Sequence, residues 1–164
     1  MFDLIRFLHL TGMRSGQAQA ISWDMIGEDN VLRMSKFLVK NKDAYSLALS
    51  DEQGKPYAET AFLVNVKHRP HGVSVFDMTN FRQEWREACA KLKLGWFEKK
   101  TRAYRGAQPH DFRRTAITNF AAKGVNEDAA MSVTGHKTTS AHKRYKVGGA
   151  SVQRSALGAV SKTR

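Results

Sequence analysis

Two strand-like stretches set among helical patterns are the feature that most constrains the fold. Residues 31–39 and 44–49 are rich in β-branched and large apolar residues, a composition that favours strands. The four residues between them, Lys40-Asn41-Lys42-Asp43, have the chemistry of a turn. The sequence therefore predicts an antiparallel hairpin with lysines at its tip, within a chain that is mainly α with a small antiparallel β-sheet (α+β).

Helical periodicity accounts for most of the remaining chain. The predicted helices span residues 2–10, 14–23, 80–94 with Thr79 as cap, 110–122 ended by Gly124, 126–134 capped by Asn126, and a last short helix that begins at Thr138 or Thr139 and contains Tyr145. Trp85 is expected to be a core residue because it recurs with Phe81 and Leu92 at helical spacing. Less regular patterns predict a helix over 57–67, a third strand over 73–76 and a basic loop over 95–108.

Charge is distributed unevenly along the 164 residues, a length typical of one domain. Residues 1–90 contain 11 basic and 11 acidic residues, whereas residues 91–164 contain 16 and 4, so the whole excess of +12 lies in the second part. Such a concentration of positive charge indicates a polyanionic partner, nucleic acid first and anionic lipid second.

Hydropathy and cysteine content indicate a cytoplasmic protein. No apolar run approaches the length of a membrane span, and Asp3 and Arg6 interrupt the apolar opening, which is therefore a poor signal peptide. The single cysteine, Cys89, cannot form an internal disulfide and is expected to be a core residue in a reducing compartment. We expect no association with membranes.

His110 and Arg113 are the first candidates for binding a phosphate. They lie three residues apart in a predicted helix and therefore project from the same face. An arginine presents a planar fork of donors to a phosphate and a histidine adds one more. Taken alone, the pair is more simply interpreted as a surface arginine beside a half-buried histidine.

Four further residues have a functional and a simpler interpretation. His136 follows Gly135 in a predicted turn, where it could also cap a helix, and Tyr145 lies nine residues later among cations. A tyrosine hydroxyl, with a pKa of about 10, needs nearby cations and a base to become a nucleophile. Arg14, at a helix start, and Lys40, at the hairpin tip, are ordinary surface cations when considered singly.

Considered together, these motifs are far more specific. Their order is Thr11-Gly12-Met13-Arg14-Ser15-Gly16-Gln17, Ile21-Ser22-Trp23-Asp24, the Lys40 hairpin ending in Leu49-Ser50, His110-x-x-Arg113, Gly135-His136 and Tyr145. In order and spacing the chain resembles the catalytic domain of the tyrosine recombinases, the phage integrase family, from about residue 2 to 147. The resemblance implies the fold of the DNA breaking-rejoining enzymes. Gln17 departs from the pattern, since the family usually has a carboxylate there.

The resemblance implies a catalytic role for each matching residue. Arg14 and Arg113 would hold the non-bridging oxygens of the scissile phosphate, and His110 and His136 would hydrogen-bond to it, with His110 also a candidate base. Lys40 would protonate the departing 5′ oxygen, with Lys36 and Lys42 as competing candidates. Tyr145 would attack the phosphate to form a 3′-phosphotyrosyl bond. This chemistry needs no metal or nucleotide cofactor.

The resemblance also implies how the protein is organised and what it binds. Residues 1–147 would form the catalytic domain without the family's amino-terminal DNA-clamping domain, and the start inside a helix indicates a fragment of something longer. Residues 148–164 would be a tail and a candidate for packing on a neighbouring protomer. The expected partner is double-stranded DNA in the nucleoid, with self-association into a tetramer during synapsis.

Three functions follow from these expectations. The first is site-specific recombination, as in integration or excision, and the second is DNA binding by a catalytically impaired remnant of an integrase. The third is the activity of a type IB topoisomerase. The residues leave open whether Tyr145 acts in its own active site or in that of a neighbour.

Overall fold

The computed structural model describes residues 1–39, 43–64, 66 and 71–143, with only the backbone of residue 143. The helices are α1 (Phe2–Thr11), α2 (Ser15–Ala18), α3 (Phe81–Lys91), α4 (Asp111–Ala122), α5 (Glu127–Thr134) and α6 (Thr139–Lys143). The strands are β1 (Val31–Met34), β2 (Tyr45–Ala48), β3 (Gly95–Phe97) and β4 (Tyr104–Gly106), and short 3-10 helices cover Trp23–Met25 and Ala61–Leu63. The predicted class, mainly α with a small antiparallel sheet, is confirmed.

The predicted hairpin is confirmed as the antiparallel pair β1–β2, which is shorter than expected. Leu32 pairs with Leu47, and Arg33 with Ser46. Leu32 and Leu47 are buried, whereas Arg33 and Ser46 are exposed, as the alternation of side chains along a strand requires. One face of the hairpin therefore covers the core, while the other faces solvent.

The first helix supplies the centre of the hydrophobic core. Leu4, Phe7 and Leu8 of α1 are at most 1% exposed, and the rings of Phe7 and Phe76 lie 5.7 Å apart. Spacing by three and four residues places these side chains on one helical face, whereas Phe2 is 70% exposed. The carboxyl end of α1 packs against α4, where the rings of His9 and Phe112 lie 6.4 Å apart.

The region after α3 differs from its prediction. Trp85 is buried as expected, and its Nε1 donates to the Ala107 carbonyl at 2.9 Å. Leu92, however, is 69% exposed because α3 ends at Lys91. The predicted loop over 95–108 is instead the hairpin β3–β4, in which Phe97 pairs with Tyr104. The charged residues at the hairpin tip favoured the prediction of a loop over the strand propensity of these aromatic residues.

Three weaker predictions are also wrong. Among the described residues of 57–67 only Ala61–Leu63 is helical, as a single 3-10 turn. Residues 73–76 make one isolated bridge, between Ser74 and Ser22, rather than a strand. The predicted helix over 14–23 is limited to α2 and a separate 3-10 turn.

The predicted cap of α3 is displaced by a local turn. The Thr79 hydroxyl donates to the Asp77 carboxylate at 2.7 Å, and α3 begins two residues later with Asn80 at its cap position. The hydroxyl therefore stabilises the turn before the helix instead of its first N–H groups. By contrast, Asn126 caps α5 as predicted, accepting from the N–H of Asp128 at 2.8 Å.

Within the part of the chain that the structure describes, no helix is both long enough and apolar enough to cross a membrane.

Candidate active site

Three helices converge at the turn that follows α1. Gly12 ends α1 in the left-handed conformation (φ 60°), and its N–H donates to the Leu8 carbonyl at 2.9 Å. A Cβ at Gly12 would lie 2.8 Å from Cβ of Ala116 on α4 and 3.2 Å from Cγ2 of Thr134 on α5. Glycine is therefore needed both for the backbone angle and for the close approach of the two helices. The turn leads directly to Arg14.

Arg113 fills the space where these helices meet and is 1% exposed. Its Nη1 donates to the Gly12 carbonyl at 2.7 Å and to the Thr134 carbonyl. Both carbonyls lie at the carboxyl ends of helices, where the helix dipole carries partial negative charge and carbonyls lack intrahelical partners. The end of α1 and the end of α5 thus supply neutral but oriented acceptors for a buried cation.

His136 is fixed in one protonation state by its neighbours. The Nε of Arg113 lies 3.2 Å from its Nε2, and arginine nitrogens only donate, so Nε2 is the acceptor and carries no proton. Nδ1 then carries the ring proton and donates to the Thr134 hydroxyl at 2.8 Å, which donates in turn to the Ala130 carbonyl at 2.8 Å. Burial, and next the charge of Arg113, lower the pKa of His136 to about 3. The ring is therefore neutral.

His110 lies at the cap position before α4 and is exposed. Partial burial of the imidazole and the charges of Arg113 and Arg14 lower its pKa. The same two arginines, together with His110, also lower the pKa of His136. Nε of Arg113 donates to His136, its Nη1 donates to the Gly12 carbonyl two residues before Arg14, and His110 lies at the start of the helix that carries Arg113. The structure thus brings Arg14, His110, Arg113 and His136 into one electropositive cluster.

The simpler interpretation of the His110–Arg113 pair is wrong, because the burial of the two side chains is the reverse of what it assumed. A surface arginine beside a half-buried histidine was the simpler expectation, whereas the structure has a buried arginine beside an exposed histidine. Arginine is almost never fully buried without partners. Here the partners are backbone carbonyls from distant parts of the chain, which sequence spacing does not reveal.

Arg14 differs from Arg113 in being only partly engaged. It occupies the cap position before α2 and is half-buried. Its Nη1 is buried, yet has no hydrogen-bond partner among the described residues. An unpartnered buried donor is costly unless a ligand satisfies it. Arg14 therefore presents a donor suited to an anion, beside the neutral His136 and the buried Arg113.

The sequence of residues 3–147 matches the model that describes the Phage integrase family. The chain belongs to the phage integrase family. Membership agrees with the motifs in the sequence and with the site, since the match includes the whole convergence of α1, α4 and α5.

Solved integrase structures share the fold of this family member. The Tn1549 transposon integrase in complex with circular intermediate DNA has a TM-score of 0.56 at 15% identity, over 97% of this chain and 59% of that chain. A tyrosine-to-phenylalanine variant of that integrase, in complex with transposon right end DNA, has a TM-score of 0.57 at 15% identity, over 99% and 58%. At this identity the likeness concerns the fold alone.

The chain spans about three fifths of the length of these integrase chains. Among curated proteins, none matches its sequence.

Lys40 lies outside the described residues, but its chain neighbours are close to His136. The Asp43 carboxylate forms an ion pair with Nζ of Lys137. Val39 and Asp43 line one cavity of about 150 Å³ together with His136 and Lys137. Val39 and Asp43, the residues on either side of segment 40–42, therefore lie beside the turn that carries His136.

Tyr145 also lies outside the described residues, two positions after the end of α6. His142 on α6 is buried, and its ring meets that of His136 nearly at a right angle, with centroids 5.1 Å apart. In the sequence, Tyr145 follows His142 by three residues.

Two residues of the site were missed by the sequence prediction. Thr134 orients His136 through its hydroxyl and Arg113 through its carbonyl, and His142 packs on His136. The available signals were a hydroxyl residue directly before the helix-ending Gly135, and a histidine three residues before Tyr145. Neither signal is specific without knowing that α5 ends against α1.

Proposed function

We propose that this chain carries the catalytic centre of a tyrosine-type site-specific DNA recombinase. One observation carries the proposal: Nη1 of the buried Arg113 donates to the Gly12 carbonyl at 2.7 Å, two residues before Arg14, and its Nε donates to His136 at 3.2 Å. His110 occupies the cap position of the same helix, three residues before Arg113, so these four polar groups belong to one electropositive site. Such a site suits a phosphate diester, whose substitution adds negative charge in the transition state. The integrases of similar fold were determined in complex with DNA, and the basic excess in residues 91–164 fits the same partner.

The two arginines would act on the scissile phosphate in different ways. Arg113 is held rigidly by two carbonyls and by His136, and such preorganisation avoids reorganisation at the moment of reaction. Arg14 has a buried donor without a described partner, and would bind a non-bridging oxygen. Both would stabilise the pentacovalent transition state.

The two histidines act from different positions. His110 is exposed, and its lowered pKa keeps it neutral near pH 7, so it can accept the proton of the attacking hydroxyl. His136 accepts from Arg113 in this arrangement, and thereby orients the guanidinium. The family resemblance implies a direct hydrogen bond from His136 to the phosphate. Because Nε2 accepts from Arg113 and the single N–H donates to Thr134 here, that bond would require the N–H to be released from Thr134.

Tyr145 is the proposed nucleophile and Lys40 the proposed general acid. Attack of the Tyr145 oxygen on phosphorus would form a 3′-phosphotyrosyl bond and break the bond to the 5′ oxygen, which Lys40 would protonate. Because the new ester conserves the bond energy, a 5′ hydroxyl of a second strand can reverse the step and exchange partners. Lys42 and Lys36 are the competing acids, and Nζ of the exposed Lys36 lies 5.3 Å over the Phe37 ring.

The setting of the reaction is also proposed. Recombination of two duplexes by this chemistry would bring four protomers together on DNA. Double-stranded DNA in the nucleoid of a bacterial or phage-infected cell would be the substrate, in integration or excision. The tail 148–164 lies outside the described residues and is the proposed contact to a neighbouring protomer.

A pool of nicked suicide duplexes of randomised sequence tests the proposal without knowledge of the target site. Cleavage near the nick releases a short fragment, which traps the covalent complex. We expect a species that survives denaturation for the unmodified chain and for Tyr57→Phe, an exposed tyrosine outside the proposed site. Tyr145→Phe should abolish it. An equal yield from Tyr145→Phe would overturn the assignment of the nucleophile.

The same experiment separates the alternatives. Binding of the pool with a steep salt dependence, but without a covalent species from the unmodified chain, would indicate a remnant that only binds DNA. Relaxation of supercoiled plasmid DNA of arbitrary sequence would instead indicate a type IB topoisomerase.

A further inference from the structure

A polar groove runs along α3 from the candidate active site to the β3–β4 hairpin. Its inner part, about 550 Å³, is lined by Ser15 and Pro109, the neighbours of Arg14 and His110, and by residues of α3. Its outer part, about 620 Å³, extends to Phe97 and Arg102 on the hairpin. The two parts share Met78, Arg82 and Arg86 in their linings, so they adjoin each other.

Three arginines line the groove without a counter-ion. In the part of the chain that the structure describes, Arg82, Arg86 and Arg102 form no ion pair. The Arg86 guanidinium instead lies 5.9 Å from the centre of the Tyr104 ring, which holds it at the groove wall. The acidic lining residue, Glu87, accepts from Nε2 of Gln83 on its own helix. The groove therefore has a net positive charge that the fold does not neutralise.

The spacing of these arginines suits a nucleic-acid backbone. Arg82 and Arg86 are separated by four residues of one helix, which corresponds to about 6 Å along its axis. One strand of B-DNA carries a phosphate for about every 3.4 Å along the duplex axis, so the two arginines span roughly two phosphates. Arginine is the side chain best suited to phosphate, because its fork can donate to two oxygens at once.

We propose that this groove binds the backbone of the strand flanking the scissile phosphate. The inference rests on the proposed function, since it starts from a phosphate held by Arg14 and His110. The strand that carries this phosphate must continue away from the site. The groove offers it a path that begins at Ser15 and Pro109 and contains three uncompensated arginines. Arg82, Arg86 and Arg102 thus position the flanking DNA and take no part in the chemical step.

The test measures binding of a random-sequence duplex as a function of salt. For each phosphate contact that is lost, the slope of log K against log salt becomes less negative by about 0.9. The double variant R82Q/R86Q should therefore reduce the magnitude of the slope by about 2, and Arg102→Gln by about 1. Lys55→Gln is the matched control, because it removes one charge from an exposed loop outside the groove, and it should leave the slope unchanged. Arg86→Lys retains the charge and should therefore keep most of the salt-dependence slope of the unmodified chain.

A second readout uses the length of the duplex beyond the nick. In the suicide assay, the unmodified chain should gain yield as the flank is lengthened, whereas R82Q/R86Q should gain little. Covalent product with an unchanged slope and unchanged dependence on flank length would overturn the groove while leaving the proposed function intact. A reduced slope without covalent product from any variant would support the groove and count against the catalytic proposal. Weaker binding of polyglutamate with unchanged DNA binding would assign the groove to an acidic protein and overturn the inference.

Discussion

The two arginines of the site, Arg113 and Arg14, are held in opposite ways. Arg113 is 1% exposed and donates to the ends of two helices and to His136. Arg14 is half-buried and has a buried nitrogen without a described partner. The comparison indicates that the corner of α1, α4 and α5 is a rigid electrostatic template, and we propose that the turn after α1 presents the free donor of Arg14 to a phosphate.

The largest loss of stability is expected from Arg113→Ala. Loss of the guanidinium leaves the carbonyls of Gly12 and Thr134 buried without this donor, and also leaves a cavity. We expect the free energy of unfolding to fall by about 3–5 kcal/mol, measured by urea denaturation followed through tryptophan fluorescence. Arg114→Ala, at the exposed neighbouring position, should change it by less than about 0.5 kcal/mol. A loss below about 1 kcal/mol for Arg113→Ala would contradict the template role.

Gly12→Ala should have the next largest effect. Gly12 and Gly124 both have positive φ, of 60° and 70°, but only Gly12 has atoms within 4 Å of a Cβ built there. Alanine should cost about 1 kcal/mol at Gly124 from the backbone alone, and about 2–4 kcal/mol at Gly12, where it also overpacks against Ala116. Equal losses in the urea unfolding of the two variants would show that the close approach of the helices contributes nothing.

The pH dependence of stability should report the neutral state of His136. Its pKa is lowered to about 3 in the folded protein, against about 6.5 for an unperturbed histidine. The unfolded chain therefore binds more protons between these values, so stability is complete above pH 6.5 and falls as the pH drops towards 3. The slope contributed by this group is at most about 1.4 kcal/mol per pH unit. His136→Gln should flatten this part of the profile.

The matched control for the pH profile is His9→Gln, a substitution at an exposed position on α1. It should preserve the slope between pH 4 and 6. If His136→Gln and the unmodified chain have the same slope, the ring is not held neutral by burial beside Arg113.

The smallest effect on stability is expected from Arg14→Gln. The change should alter the free energy of unfolding by less than about 0.5 kcal/mol, because the site, and not the fold, uses its free donor. Inorganic phosphate should raise the melting temperature of the unmodified chain through preferential binding to the folded state. Arg14→Gln should lose much of this shift at constant ionic strength, whereas the exposed Lys123→Gln should retain it. A full shift in Arg14→Gln would place the anion elsewhere.

The contrast between the two arginines also shows how far sequence patterns can be taken. Arg14, His110 and His136 were predicted as site residues because they match the motifs of the phage integrase family, while the helices near them follow from apolar periodicity. The burial of Arg113 could not be predicted, since its acceptors Gly12 and Thr134 are brought to it only by tertiary packing.

The β3–β4 hairpin and Leu92 also show that tertiary packing limits prediction of the fold from sequence patterns. Trp96 and Phe97 have strand propensity, but both are exposed, so no buried alternation marked the strands. Leu92 continued the apolar periodicity of α3, although the helix ends at Lys91 and leaves it 69% exposed. Patterns that depend on burial predict well only where a core exists to enforce them.

Covalent attachment of Tyr145 to DNA can be detected by mass spectrometry of trapped complexes. Complexes from the suicide duplexes would be digested with nuclease and protease, and the peptides searched for a nucleotide adduct. We predict a phosphate-linked nucleotide on Tyr145 in the unmodified chain, and no adduct in Tyr145→Phe. An adduct on another residue, or the same amount of adduct from Tyr145→Phe, would contradict the account.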